Sequence, residues 1–597
     1  IVLITLLFVD ALRLRFRVHS LRTITSAPSM KTDEVCFLTA PGVAISEEVR
    51  QQMVGDMNTN ELDVLDGIPS RWQSLDALSL VQLVEPATYR TTRLEKGRTA
   101  GVVIAVRKSV LERAGYPTQD QSLPKHEMVR IAQRLKMYAC TTSDLAIVPG
   151  LKQTGLQLNQ RKAMLQTAIG GMTWVILVGQ PMIFAGLIGF AVLSPLWGGL
   201  TLSAFHLQPL MVLAFSPIRA WDIAIQALGR VLFEAVVWLG TLFGTTPRKD
   251  PVDPVETRRP RYTDWVKEGL NPFFEPRIEN CPLCGDARLK PLIQTTDLVQ
   301  RKPGTFTLEE CGACRHVFQN PRLSLAGLDY YYSDFYDGLG EEGLESIFGY
   351  SAEPYWARAR MVQPHIEPSR WLDVGAGHGH FCCTARDVFP VAQFEALDLS
   401  ESVEEAARRG WADRGIRGLF PEAASDLKEQ YDVVSMSHYL EHTREPNEEI
   451  QAANTALRPG GVLFIEVPDP QCIFGRLMGR WWLPWFQPQH QHLLSMQNIE
   501  KLLVEHGFEP LDWHTGDAHQ SVDFLFFFYL LINRLAPPSP TPWNRPQGFV
   551  RNVLHRTVWM LGIPWIATGW LLDRVMTPFM RRAKHSNTYR VVARKTQ

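Results

Sequence analysis

Two cysteine pairs, Cys281-Pro282-Leu283-Cys284 and Cys311-Gly312-Ala313-Cys314, stand 26 residues apart in a chain of 597. Each CxxC turn offers two sulfurs to one ion and the long loop brings the turns together, so the spacing suits tetrahedral Zn²⁺. Four thiolates leave no open position for chemistry, and the ion is expected to be structural. A second reactive group follows in Ser437-His438-Tyr439-Leu440-Glu441-His442. Histidine titrates near neutrality, so His442 suits proton abstraction, with Glu441 to orient it or share the load and His438 as a third catalytic candidate. His490 and His492, in Pro488-Gln489-His490-Gln491-His492-Leu493, are further candidates.

These groups need a frame, and Trp371-Leu372-Asp373-Val374-Gly375-Ala376-Gly377-His378-Gly379-His380 reads as a buried strand breaking into a glycine turn and then a helix. Glycines at such a break let a ligand approach the backbone closely, and a helix N-terminus favours a polar or anionic group. A dinucleotide fingerprint requires glycine at position 380, where this chain has His380. A second strand, Phe394-Glu395-Ala396-Leu397-Asp398-Leu399-Ser400, ends with an acid 21 positions after Gly377. A carboxylate at that tip can bind the two hydroxyls of a ribose. Tyr431–His438 reads as a further strand and Arg458–Val467 as a helix end turning into another, the first delivering Ser437 and the Glu441-His442 pair to the crevice at its C-terminal end.

The order of these elements resembles the class I S-adenosylmethionine-dependent methyltransferases. The residues that carry the likeness are LDVGAGHGH, ALDLS, YDVVSMSHYLEH and LRPGGVLFIEVP. The resemblance covers roughly residues 350 to 515 plus a final strand at Thr588–Arg594. It implies an α/β, Rossmann-like, seven-stranded domain with S-adenosylmethionine bound by Asp373, Gly375, Gly377, Gly379, Asp398 and Ser437. The cysteine region, running from Cys314 on to Tyr330-Tyr331-Tyr332-Ser333-Asp334-Phe335-Tyr336, resembles the N-terminal zinc-binding domain of sugar C-methyltransferases. That likeness implies that the small domain helps form the substrate site, that its tyrosines cover the pocket, and that the Glu441-His442 pair supplies the general base. Glu441 and His442 with the later histidines also resemble the metal site of some RNA 2′-O-methyltransferases, although the charge balance argues against it.

The length calls for three or four units, and a net charge of −1 gives no sign of a nucleic-acid partner. Five of the nine cysteines are scattered, which fits a reducing compartment better than a disulfide framework. The chain opens at Ile1, directly into apolar residues, and its start is read as a truncated segment. Residues 1–17 are expected to be the remnant of a membrane helix with the basic flank of Arg13, Arg15, Arg17 and Arg22 in the cytoplasm. Residues 18–170 read as a soluble α/β domain. Residues 171–243 read as a transmembrane hairpin turning near Pro195, followed by an interfacial helix. The proline-rich stretch 244–280 reads as a linker, 281–340 as the zinc-binding domain, and 341–597 as the methyltransferase domain. Within the last, 521–585 is an insertion whose apolar runs, 524–532 and 558–566, are too short to span comfortably and are expected to contact a membrane in its plane.

Residues 101–116 resemble a stretch of membrane-bound family 2 glycosyltransferases. No DxD metal motif is present, His126-Glu127 stands where that family shows a Glu-Asp pair, and Gln160-Arg161 half-matches its later Gln-Arg-Trp motif. A degenerate glycosyltransferase domain follows as one expectation. The leading functional expectation is a membrane-associated methyltransferase, with its catalytic domain on the cytoplasmic side, acting on a small or lipid-linked acceptor such as a sugar. The alternatives are a bifunctional glycosyltransferase/methyltransferase, an RNA methyltransferase with a zinc module, and a cofactor-binding scaffold without turnover. The Asn/Asp-Pro-Pro-aromatic motif of base-methylating enzymes is missing, and intact Asp373, Gly375, Gly377, Asp398 and His442 argue against the scaffold.

Overall fold

The computed structural model describes residues 2–29, 33–139, 143–152, 185–230, 254–333, 352–515, 522–539, 541–544, 548–583 and 586–596. The segments 153–184 and 231–253, which hold the first expected membrane span and Gln160-Arg161, lie outside these residues. The chain divides into two compact units, Ile1–Lys249 with Arg408–Gly410, and Asp250–Ala407 with Trp411–Gln597.

The first unit is built on a six-stranded sheet in the order Arg22–Thr23, Ser143–Val148, Val64–Pro69, Val103–Arg107, Val35–Thr39, Gln121–Ser122. Val103–Arg107 runs antiparallel to both of its neighbours. The strands are near-continuous apolar runs buried on both faces, as expected where helices cover a sheet. The expected membrane remnant is a helix over Val2–His19 that carries Asp10, Arg13, Arg15 and Arg17. It buries Ala11, Leu14 and Val18, and Arg15 donates to the carbonyls of Met211 and Ala214 at the end of helix Pro195–Leu213. Among the described residues, Pro195–Leu213 is the one helix long and apolar enough to cross a membrane. His126 and Glu127 sit in the first turn of helix Lys125–Tyr138, where Glu127 pairs with Arg130.

The second unit contains a seven-stranded sheet. In chain order its strands are Arg370–Val374, Gln393–Asp398, Arg414–Arg417, Tyr431–Ser437, Leu457–Pro468, Phe508–His514 and Thr588–Lys595. In space they run third, second, first, fourth, fifth, seventh, sixth. The first five are parallel, and the last is antiparallel to both neighbours. The order reverses between the first and fourth strands, and that switch point opens the crevice at their C-terminal ends. Helix Met496–Glu505 starts from a reciprocal capping box of Ser495 and Asn498, and Ile499, Leu502 and Leu503 fill the core beneath.

The cysteine region is a three-stranded antiparallel meander, Leu289–Thr295, Phe306–Cys311 and Val317–Gln319. A fourth strand, His492–Leu493, pairs with Val317–Phe318 and comes from the methyltransferase part. The expected 281–340 domain is therefore not self-contained. The expected linker is also partly folded: helix Pro254–Trp265 and the turn Asn271–Phe273 bring Tyr262, Trp265 and Phe273 against Tyr330. Aromatic burial outweighs the chain-breaking effect of the prolines there.

The insertion is a helical hairpin, Asp523–Leu535 and Phe549–Arg582. The second apolar run thus belongs to one 34-residue helix that continues through Pro564 and Pro578, rather than standing as a short piece. Gly562 and Gly569 let the two helices close: a Cβ on Gly569 would lie 2.6 Å from the carbonyl oxygen of Phe524. The Asp573 carboxylate accepts from the Phe524 and Leu525 amides, capping the first helix from the flank of the second.

Candidate active site

Gly375, Gly377 and Gly379 all take positive φ (73°, 52° and 74°), which side chains other than glycine rarely adopt. A Cβ on Gly375 would strike the Tyr439 ring at 2.5 Å, whereas one on Gly377 would meet nothing within 4 Å. The turn is thus packed on one side and opens into space at Gly377. The Gly377 amide donates to Asp398 Oδ2 (2.9 Å) and the Ser400 amide to Oδ1 (2.8 Å), which fixes the carboxylate at the lip of that opening. A narrow cradle with an acid at its rim fits an adenosine ribose. Asp373 lies beneath the turn, buried; its Oδ1 accepts from Ser435 Oγ at 2.6 Å, and Ser435 accepts from the Trp371 indole. Burial pushes the Asp373 carboxyl up to about 7, against the pull of Ser435 and Arg358. Ser437 Oγ is buried and has no partner among the described residues, at the end of the fourth strand beside this opening.

The next residues form a largely buried cluster of charged and imidazole groups past the end of the fourth strand. His438, held at φ 50°, places Nδ1 3.0 Å from Glu441 Oε1 and Nε2 2.9 Å from Glu466 Oε1. Glu466 is buried and also holds Arg358 (2.7 Å) and Arg590 (2.5 Å). Burial opposes charge on His438, but the two carboxylates prevail and raise its pKa to about 9. Both ring nitrogens are spent on ion pairs, so His438 positions Glu441 and has no lone pair left for an acceptor's proton.

His442 differs. Its Nδ1 faces the Gln489 carbonyl (3.2 Å) and the Tyr332 hydroxyl (3.0 Å), and Tyr332 donates to the same carbonyl at 2.9 Å. A carbonyl only accepts, so Nδ1 carries the proton and Nε2 keeps its lone pair. Burial lowers the His442 pKa, only partly offset by Glu441. His490 packs edge-on at 4.6 Å, with Nδ1 on the Pro484 carbonyl (2.8 Å). His492 turns elsewhere, onto the Arg444 carbonyl (3.0 Å) and His316 (3.2 Å).

Of the three consecutive tyrosines, Tyr330 and Tyr331 are buried in the aromatic cluster, and only Tyr332 reaches His442. Tyr336 lies outside the described residues. Sequence reasoning did not single out Tyr332, the Gln489 carbonyl or Glu466. Their roles come from pairings between neighbouring strands, from pairings across more than a hundred residues, or from backbone atoms, and composition records none of these.

The four cysteine sulfurs converge, with Cys281–Cys314 at 3.7 Å and Cys284–Cys311 at 3.6 Å. A tetrahedral Zn²⁺ with bonds of about 2.3 Å sets S···S separations of about 3.8 Å. The donor set and spacing therefore fit that ion. The Asn498 amide donates to the Cys314 carbonyl (2.9 Å), tying this corner to the capping box of helix Met496–Glu505.

Residues 352–512 match the family model described as a methyltransferase domain. A ubiquinone biosynthesis O-methyltransferase of Sinorhizobium medicae is 29% identical over 175 residues, which make up 27% of this chain and 68% of that protein. A non-reducing polyketide synthase of Penicillium rubens is 34% identical over 140 residues, 22% of this chain, and the match spans only 6% of the synthase. Among solved structures, a SAM-dependent methyltransferase from Archaeoglobus fulgidus aligns over 42% of this chain and 97% of that one, at 17% identity and a TM-score of 0.28. With the family match falling on the cradle and the sheet that carries it, the C-terminal part of this chain is an S-adenosylmethionine-dependent methyltransferase.

Proposed function

We propose that the chain methylates a small, lipid-linked acceptor at a membrane surface, with a sugar as the acceptor class and a hydroxyl as the reacting group. The observation that carries the membrane part is the hairpin inserted before the last strand of the sheet. Its long helix exposes Phe549, Val553, Leu554, Leu561, Trp565, Trp570, Leu571, Val575 and Phe579, an apolar surface far beyond scattered exposed residues. Arg551, Arg556 and Arg574 lie on the same helix, the composition of an element that rests on anionic lipid. This supports a cytoplasmic-leaflet location for the catalytic part. Trp482 and Asn587 hold Asp523 at the start of the hairpin, which ties it to the turn at Trp482 and to the entry of the last strand.

S-adenosylmethionine supplies an activated methyl group when bound. The glycine turn and Asp398 hold it, and Glu441, ordered by His438, lines the acceptor side. His442 offers the Nε2 lone pair where the acceptor proton must leave as the new bond to the methyl carbon forms and the sulfonium bond breaks. The relationship to an O-methyltransferase supports oxygen as the methylated atom. A Zn²⁺ on Cys281, Cys284, Cys311 and Cys314 would hold the module that presents Tyr332.

The test is release of S-adenosylhomocysteine by the full chain on anionic vesicles doped with glycolipids bearing free hydroxyls. Turnover that depends on both vesicle and glycolipid is expected. Equal turnover on a water-soluble acceptor without vesicles would overturn the membrane reading.

A further inference from the structure

Three side chains at the acceptor end converge without a partner between them. Glu441, His442 and His490 each offer one ligand atom, and those atoms lie within 4.8 Å of one another. Glu441 uses Oε1 on His438, and Oε2 is buried with no hydrogen-bond partner among the described residues. An ionised oxygen in that state is costly unless something positive meets it. The two imidazoles are oriented alike. His442 gives Nδ1 to the Gln489 carbonyl and Tyr332, and His490 gives Nδ1 to the Pro484 carbonyl, so both turn Nε2 lone pairs outward. Metal-ligating histidines are held in this way, with the far nitrogen on a backbone carbonyl fixing tautomer and ring plane.

We propose that Glu441, His442 and His490 form a divalent-metal site, separate from the four cysteines and distinct in chemistry. Two imidazoles and one carboxylate suit a first-row ion such as Mn²⁺, Fe²⁺ or Zn²⁺, and they leave positions open for an oxygen of the acceptor. Bond lengths of about 2.1 Å set ligand separations of about 3 to 4 Å, so the observed spread closes with a small inward movement of side chains. His492 is not a ligand, since both its nitrogens are engaged by Arg444 and His316. His438 is paired with Glu441 and Glu466, and Glu466 is further matched by Arg358 and Arg590, so an ion would meet Glu441 at Oε2, the oxygen that His438 leaves unused. An ion held there would take the His442 lone pair and acidify a bound acceptor hydroxyl, whose proton would pass to solvent.

The proposal does not rest on the methyl-transfer reading and is tested without cofactor or acceptor. Mn²⁺ is the probe, because it prefers oxygen and nitrogen donors and leaves a thiolate site to zinc. Titration of the zinc-loaded full chain, followed by the free-ion paramagnetic resonance signal, should show one bound Mn²⁺ per chain. Spin-echo spectra should carry nitrogen couplings from two imidazoles. His490→Ala should weaken binding by more than about tenfold, and His490→Gln should do the same while preserving side-chain volume. His492→Asn should bind as the parent does. Mn²⁺ that remains free, that binds without nitrogen coupling, or that binds the two His490 variants as tightly as the parent overturns the site. Methyl transfer measured separately reports on the other reading alone.

Discussion

His438 Nε2 lies 2.9 Å from Glu466 Oε1, and the same ring reaches Glu441 through Nδ1 at 3.0 Å. One imidazolium therefore bridges the end of the fourth strand, the fifth strand and the residue before His442. Burial works against its charge, and the two carboxylates outweigh that and raise its pKa to about 9. A histidine raised on folding stabilises the protein fully below its unfolded pKa of about 6.5 and loses that contribution as pH climbs through the folded value. The thermal midpoint should thus fall between pH 6.5 and about 9.5. In His438→Gln this part of the slope should flatten, with a loss at neutral pH of about 1–3 kcal/mol from the unpaired carboxylates. Parallel slopes in the two proteins, read by calorimetry across that window, would contradict the bridging role.

Asp398 is braced by the amides of Gly377 and Ser400 while its carboxylate faces the cradle. Hydrogen bonds from ribose hydroxyls to a charged acceptor contribute about 1.5–3 kcal/mol each. Asp398→Ala should weaken S-adenosylmethionine binding by about 10- to 100-fold in calorimetry, while the far-ultraviolet dichroism stays that of the parent. Undiminished affinity would remove the ribose assignment.

The parts legible in the sequence are those that local chemistry dictates. Three glycines at alternate positions announce a turn of positive φ, and an acid at the next strand tip announces its partner. Apolar runs marked five of the seven strands, including the distant one at Thr588–Lys595, whereas Arg414–Arg417 and Phe508–His514 are too polar to stand out. Paired cysteines marked a convergence of four sulfurs for the same reason. What sequence did not show depends on distance. Nothing distinguishes Tyr332 from Tyr330 and Tyr331 until the fold turns one ring toward His442 and packs the others against Tyr262 and Phe273. His438 looks like a third base, and only the arrival of Glu466 from the neighbouring strand turns it into a buried cation. Prolines made 244–280 read as a linker, although Tyr262, Trp265 and Phe273 carry enough buried surface to fold its second half.

The cysteine corner should bear on the stability of the methyltransferase sheet, because strand His492–Leu493 completes the cysteine module and Asn498 caps on the Cys314 carbonyl. Stripping zinc with a chelator, or substituting Cys284→Ser, should lower the melting midpoint by on the order of 5–10 °C. Zinc added back should restore it in the parent and not in the variant. A midpoint indifferent to the chelator, with one zinc per chain lost by mass spectrometry, would make the ion dispensable to the fold.

Gly569 sits where the two hairpin helices touch, with the Phe524 carbonyl 2.6 Å from the site of a Cβ. Gly569→Val forces backbone apart rather than a flexible side-chain tip, at a cost of about 1–3 kcal/mol. Limited proteolysis should cut the hairpin faster in the variant, and vesicle flotation should drop, while cofactor affinity holds. Unchanged proteolysis together with unchanged flotation would show that hairpin closure is not needed for lipid contact.

His442 has a lone pair on Nε2 because the Gln489 carbonyl fixes the proton on Nδ1, and burial lowers its pKa despite the neighbouring Glu441. The neutral ring is the form that serves either proton abstraction or ligation. Activity should therefore rise with pH along a limb whose midpoint lies below 6.5. His442→Gln should lower kcat by about 10²- to 10⁴-fold. Tyr332→Phe removes one of two contacts at Nδ1 and leaves the carbonyl, so its loss should be about 2- to 10-fold. The limb should keep its place in Tyr332→Phe, since the carbonyl alone still sets the tautomer. A limb centred above pH 7 in the parent would mean that His442 is not the group whose protonation stops turnover.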